Sequence, residues 1–305
     1  MQTKPKPAGF FTPIEELTEH ELLYRLLISL QNLPGSTELN EEEIIKLPSE
    51  VYEYWRNSDH GLAHSKQVLA RALIILRSCP NLLRLCYMRC LDPIEITALI
   101  TWASILHDFA RFTQYKTLPI HQLVGSELAR HAFIEEVEDH VSKNLAEMII
   151  RHDYCCEFVD REQLPTLFIK NPLAEMFRLA DKTSLSPVDE ITRYNNTGKR
   201  LGKAKFFDPD FPMESRLQFN GRYEGWDYLN HFLLFFAIQP KDWFFGETRD
   251  LYREWQEKCE GGKSKACAKI LEFAAAEGLD GDQIYSLVNV LDSFFKKFNL
   301  PNYVG

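Results

Sequence analysis

Apolar residues recur every three or four positions along most of this chain, the periodicity of an amphipathic α-helix. Regular alternation of apolar and polar residues bounded by tight-turn dipeptides is not found, so the pattern predicts no strands. We therefore expect an all-α fold. The segments with the clearest helical periodicity are residues 14–31, 65–78, 92–110, 124–134, 142–152 and 172–184.

Local signals support several of these helix starts. Asp92 is placed to cap a helix, and Pro93 and Pro172 stand near the first turn, where proline is favoured. After about residue 190 the sequence becomes rich in Gly, Pro, Asn and basic residues, as a long functional loop or a linker would be. We expect two regions, a helical lead and core over residues 1–190 and a basic loop with a helical extension over residues 191–305. Helices are predicted to resume at residues 225–237, 247–260 and 282–298.

The amino-acid composition indicates what kind of protein this is and which partners are expected. The 305 residues are 45% hydrophobic and 26% charged, which is typical of a compact globular protein. The net charge of -9 argues against broad nucleic-acid binding but leaves room for a local site that binds a small phosphorylated ligand. Seven cysteines without a CxxC pair favour a reduced, cytoplasmic protein. No apolar run reaches the roughly 20 residues that span a bilayer, and no signal peptide is recognised, so we expect no membrane partner.

Histidine and aspartate residues gather at the ends of the predicted helices. A metal ion would account for them, because imidazole and carboxylate ligands together suit Mn, Fe, Zn and similar divalent ions. Helix capping or exposure at the surface would account for the same residues without a metal, and a single His-Asp dipeptide is weak evidence. The residues concerned are His60 and His64, which share a helix face, the pair His107 and Asp108, and His121, His152 and Asp181.

The order His64, His107-Asp108, Asp181 resembles the H…HD…D pattern of the HD-domain superfamily of metal-dependent phosphohydrolases. The stretch "HGLAHSKQVLARA" is similar to the first helix of that family, "SILHDFAR" to the second and "LADKTSL" to the helix of the last aspartate. The resemblance covers roughly residues 55–190. It implies an all-α HD-domain helical bundle that binds metal, followed by a C-terminal helical extension, and it implies phosphohydrolase activity.

Two further stretches, "PIHQLVGSELARHA" and "EMIIRHD", resemble the binuclear branch of the family. This resemblance implies that one ion takes His64, His107, Asp108 and Asp181, that a second takes His121 and His152, and that Asp108 bridges them. The ions implied are Fe or Mn in the first place, with Zn, Co and Mg as alternatives. His60 stands where related cyclic nucleotide phosphodiesterases have a proton-donating histidine, which implies a general acid.

The resemblance implies a water activated by two metals that attacks a nucleotide or another small phosphorylated substrate. Arg111, Lys116 and Lys182 lie near ligand positions and could bind phosphate oxygens. The segment 193–205, which carries Arg193, Lys199, Arg200, Lys203 and Lys205, either closes over a phosphate tail or is solvated surface.

Two other functions fit the same ligands, namely an HD-type di-iron oxygenase and a regulatory module that binds a nucleotide without turnover. The aromatic segments after residue 226 either pack on the core or form a homodimer face. The GKS sequence at residues 262–264 lacks the glycine that a P-loop needs five residues earlier, where Glu257 stands, so an NTP-binding P-loop is rejected.

Overall fold

Every regular element in the part of the chain described by this computed structural model is a helix, which confirms the all-α fold class. No helix among these residues is long and apolar enough to cross a membrane. The predicted helices over 14–31 and 225–237 lie outside the described residues, apart from isolated positions. The described residues are 9–13, 16, 21, 25, 53, 55–58, 60–89, 91–112, 121–133, 135–152, 171–201, 207–208, 210, 229, 243, 245–258 and 262–297.

The chain forms two compact units, and the first joins residues 1–154 to residues 165–184. Within it, α6 packs on both α1 and α5, and α4 packs closely along α5. The predicted helix ends agree with the structure to within a few residues. The helices of this unit are α1 (Leu62–Ser78), α2 (Pro80–Tyr87), α3 (Pro93–Leu106), α4 (His121–Ala132), α5 (Asp139–Arg151) and α6 (Pro172–Lys182), with a 3-10 turn at Phe109–Phe112.

The core of the first unit is built around α3. Every residue from Ala98 to Leu106 is buried, as expected of a helix that is apolar on all sides. Its start is fixed by a capping box, in which the Asp92 carboxylate accepts from the Glu95 N–H and the Glu95 carboxylate accepts from the Asp92 N–H. The cap predicted at Asp92 is therefore confirmed. This buried helix carries the chain to His107 at its C-terminal end.

The second unit joins residues 155–164 to residues 185–305. Its described helices are α7 (Pro187–Leu201), α8 (Gly246–Lys258), α9 (Gly262–Ala276) and α10 (Gly281–Lys297), of which α7 and α8 both pack on α9. The helices predicted near residues 247–260 and 282–298 are confirmed. Two helices, α2 and α9, lie where none was predicted.

The prediction of a loop from about residue 191 is wrong for its first part, because α7 extends through Leu201. The Ser186 hydroxyl accepts from the Asp189 N–H at 3.1 Å at the start of this helix, and Ile191 is fully buried. Capping and burial therefore outweigh the weak helix propensity of its Asn and Gly residues. Lys203 and Lys205 lie outside the described residues, and the side chains of Lys199 and Arg200 are not described either.

Candidate metal centre

Asp108 occupies the centre of a buried cluster of histidine and aspartate side chains. The last turn of α3 brings His107 and Asp108 to the site, where the two residues are 0% and 3% exposed. Burying an ionised carboxylate is costly unless charges or hydrogen bonds compensate it. Histidine nitrogens face both Asp108 oxygens, and two of them lie at hydrogen-bond distance, His60 Nδ1 at 2.8 Å from Oδ2 and His121 Nε2 at 3.2 Å from Oδ1.

The Oδ1 atom of Asp108 faces His121 and His152. It lies 3.2 Å from His121 Nε2 and 3.5 Å from His152 Nε2, and the two Nε2 atoms are 3.3 Å apart. His121 is the first residue of α4 and His152 follows the last residue of α5. The close packing of α4 on α5 therefore brings these two imidazoles together from positions 31 residues apart.

The Oδ2 atom of Asp108 faces a second group. It lies 3.4 Å from His107 Nε2 and 3.9 Å from His64 Nε2. Asp181 Oδ1 completes this group, at 3.2 Å from His64 Nε2 and 3.6 Å from His107 Nε2. His64 lies in the first turn of α1 on its buried face, and Asp181 lies in the last turn of α6. The packing of α1 on α6 brings the two ends together.

His60 stands at the more open side of the cluster. Its side chain is 30% exposed, whereas those of the other six residues are between 0% and 9% exposed. The Nδ1 atom of His60 lies 2.8 Å from Asp108 Oδ2, at hydrogen-bond distance. Molecules from solvent therefore meet His60 before the residues behind it.

Backbone carbonyl groups set the tautomers of the two histidines that precede an aspartate. His107 Nδ1 donates to the Ser104 carbonyl at 2.9 Å, and His152 Nδ1 donates to the Ile149 carbonyl at 2.6 Å. Both carbonyls belong to residue i−3 in the last turn of a helix, where carbonyls have few helical partners, although the Ile149 carbonyl also accepts from the His152 N–H. Because a carbonyl only accepts, the proton of each neutral ring is on Nδ1 and Nε2 presents a lone pair to the cluster.

The electrostatics of the cluster keep His107 neutral and Asp181 ionised at pH 7. Burial lowers the pKa of His107 from 6.5 to about 4, against the opposing effect of Asp108. Burial alone would raise the pKa of Asp181. Lys182 and the hydrogen bond from His64 outweigh it, however, and hold this pKa well below its usual value of 3.8.

These observations fit a bound cation. Among the described residues, no hydrogen-bond partner is found for the buried Nε2 atom of His107, whose lone pair faces anionic oxygens of Asp108 and Asp181 at 3.4 and 3.6 Å. That contact is repulsive unless a positive charge lies among the three atoms. Ligand bonds of about 2.1 Å place neighbouring ligand atoms about 3.0–3.4 Å apart, close to the separations seen here. The buried His/Asp cluster could therefore hold metal ions.

The basic residues that were predicted to bind substrate differ in how much of them the structure describes and in what they contact. Lys182 is buried, and its Nζ atom lies 3.1 Å from Asp181 Oδ2. The backbone of Arg111 belongs to the 3-10 turn after Asp108, while its side chain and the whole of Lys116 are outside the described residues. Arg193 pairs with Glu190 at 2.9 Å within α7.

Sequence reasoning did not identify the polar residues that hold these helices together. Asn171 caps α6 and bridges to α5, and Thr183 ends α6 and contacts Arg71 of α1. Asn171 before Pro172 is a recognisable capping signal, but its partners across the helices are not encoded by spacing.

The cluster defines a class of site, a buried centre of imidazole and carboxylate groups on five helix ends that could bind metal. Comparison with protein-family models, with curated proteins and with solved structures found no match for this chain.

Proposed function

We propose that this protein is a metal-dependent phosphohydrolase of the HD-domain type, which acts on a nucleotide or another small phosphorylated substrate. One observation carries the proposal. A single buried carboxylate, Asp108, presents its two oxygens to two separate groups. Oδ1 faces the pair His121 and His152, and Oδ2 faces His60, His64 and His107, next to Asp181. A carboxylate in that position is suited to bridge two cations.

In this proposal one ion would be held by His64, His107 and Asp181 together with Asp108. The second would be held by His121 and His152, also together with Asp108. When bound, divalent cations in such a site activate water as a nucleophile and neutralise charge on a phosphoryl oxygen. Mixed imidazole and carboxylate ligands favour Fe or Mn, while Zn, Co and Mg remain compatible.

The protein's own residues prepare the site. The Ser104 and Ile149 carbonyls keep the Nδ1 proton on His107 and His152, so these rings are in the form that binds metal before any ion arrives. Lys182 balances the charge of Asp181. The charges of Asp108, Asp181 and Lys182 sum to -1. Two divalent cations would therefore give the site a net positive charge, which attracts an anionic phosphate ester.

His60 has the position expected of a proton donor to the leaving oxygen. Its Nδ1 atom contacts Asp108 Oδ2, and its ring is the most exposed of the cluster, so Nε2 is the atom from which a proton would be delivered. Arg111 and Lys116, which follow Asp108 in the chain, remain the proposed contacts for non-bridging phosphate oxygens.

Metal content is the first experiment. Elemental analysis of the purified protein is expected to give two transition-metal ions per chain, both lost in Asp108→Ala. His131→Gln is the matched control, since His131 lies on α4 with a side chain 26% exposed and contacts Glu127 instead of the cluster. Wild-type protein with no bound or recruitable metal would refute the metal centre.

Activity is tested next on phosphoesters, dinucleotides and cyclic nucleotides, with inorganic phosphate and mononucleotides as products. Release of either product by the wild type, but not by Asp108→Ala, supports the hydrolase. A bound iron pair with oxygen consumption and no phosphate release would instead identify an oxygenase. Tight nucleotide binding without turnover in Mn, Fe, Co or Mg would identify a regulatory module.

A further inference from the structure

The helix that carries Asp181 is fixed at both of its ends by polar side chains that belong to no part of the cluster. We propose that Asn171 and Thr183 are positioning residues, which hold α6 so that Asp181 stays in register with the ligand histidines. This inference rests on the metal-binding part of the proposed function. All eleven residues of α6 are buried.

At the N-terminal end, Asn171 uses its full hydrogen-bonding capacity. Its Oδ1 atom accepts from the N–H groups of Leu173 and Ala174 at 3.1 and 3.2 Å, which caps α6. Its Nδ2 atom donates to Asn144 Oδ1 at 3.0 Å and to Glu147 Oε2 at 2.6 Å. Two donors and two acceptor sites are all that an asparagine side chain offers. The first turn of α6 is therefore tied to the middle of α5.

At the C-terminal end, Thr183 links α6 to α1. Its hydroxyl donates to the Leu179 carbonyl at 2.7 Å and accepts from Arg71 Nε at 2.9 Å. The Arg71 guanidinium also places a positive charge where the helix dipole is negative. Thr183 is 4% exposed, so solvent offers little replacement for these bonds.

The two ties connect Asp181 to one histidine of each group. Asn144 and Glu147 lie on the helix that ends before His152, and Arg71 lies two turns after His64 on α1. Apolar contacts are non-directional, whereas hydrogen bonds fix a distance and an angle. Both ends of α6 are thus held in register with the helices that supply His152 and His64.

The test compares Thr183→Val, which removes the hydroxyl at nearly constant volume, with Thr183→Ser, which keeps it. Thr97→Val is the matched control, because Thr97 makes the same bond to a carbonyl four residues earlier but is exposed on α3. Cobalt(II) affinity is measured by competition with a chelator. The visible spectrum of the cobalt protein reports ligand geometry, and thermal unfolding of the metal-free protein reports stability.

We expect Thr183→Val to weaken cobalt binding by about 10- to 100-fold, as losses in the support of metal ligands typically do, and to change the cobalt spectrum. Thr183→Ser and Thr97→Val should keep the wild-type affinity and spectrum. Wild-type affinity and spectrum in Thr183→Val would overturn the inference. So would an equal loss in Thr183→Ser, since the methyl group would then be responsible.

A second variant covers the case in which Thr183→Val does not fold. The double variant Asn144→Ala/Glu147→Leu removes both bonds of the bridge at the other end of α6 while the cap made by Asn171 is retained, and it should change the affinity and spectrum in the same direction. An unchanged cobalt site in this double variant would then overturn the inference. Failure of the wild type to bind cobalt would overturn the metal centre itself and this inference with it, whereas cobalt binding without phosphatase activity would overturn only the hydrolase.

Discussion

Acidification of the metal-free protein is predicted to destabilise it through His107. The imidazole is fully buried and neutral in the folded protein, where its pKa is about 4 instead of 6.5. Each pKa unit corresponds to about 1.4 kcal/mol. The difference of about 2.5 pKa units therefore couples at most about 3 to 4 kcal/mol of the free energy of unfolding to the protonation of this one ring.

The direction of this pH dependence follows from which state of the protein, unfolded or folded, binds the proton at the higher pH. The unfolded chain protonates at about pH 6.5 and the folded protein only near pH 4, so the stabilising contribution is complete above pH 6.5 and is lost as the pH falls to 4. Near pH 5 the slope contributed by His107 should approach about 1.4 kcal/mol per pH unit. Asp181 affects stability at a lower pH. Because its pKa is depressed in the folded protein, the stability that its carboxylate contributes is lost only as the pH falls below 3.8, the usual pKa of an aspartate.

Two measurements test this prediction. NMR of chelator-treated protein with labelled histidine should show a His107 ring that stays neutral down to pH 5. Urea unfolding at pH 7 and pH 5 should show a smaller pH dependence in His107→Gln than in the wild type, while His131→Gln should match the wild type. A His107 ring that titrates near pH 6.5, or equal pH dependence in the wild type and His107→Gln, would refute the reasoning.

Three further predictions concern the scaffold. Gly61→Ala should destabilise the protein by at least about 2 kcal/mol in thermal unfolding, because a Cβ there would stand 1.6 Å from the Trp55 carbonyl oxygen; a wild-type midpoint would contradict it. Gly125→Leu should lower the free energy of unfolding by about 1–3 kcal/mol through overpacking, since even a Cβ at this position lies 3.1 Å from Ile149 Cγ2. Denaturant unfolding measures this loss, and Gly125→Ala is the milder comparison. Asp92→Ala should cost about 1 kcal/mol in the same assay through the lost cap, whereas Asp92→Asn should cost less; equal losses would argue against capping.

The all-α class and several helix limits were predictable because they depend on local sequence. Apolar residues at helical spacing, Asp92 as a cap and proline in the first turn act within a few residues of where they stand. The same reasoning failed for α7. There a polar sequence with Asn and Gly is typical of a loop, and a helix forms because Ile191 is buried by contacts that local sequence does not reveal.

The sequence by itself determined the chemical types at the site, since His107 next to Asp108 and the histidines at helix ends are visible in the printed chain. Only the tertiary structure decided that seven of these side chains meet, because their separations along the chain, such as 117 residues between His64 and Asp181, are closed by helix packing. It also decided that Asp108 faces a different group of histidines with each oxygen. The physical reason is that a helix fixes the direction of a side chain locally, whereas what that side chain faces depends on where the other helices pack.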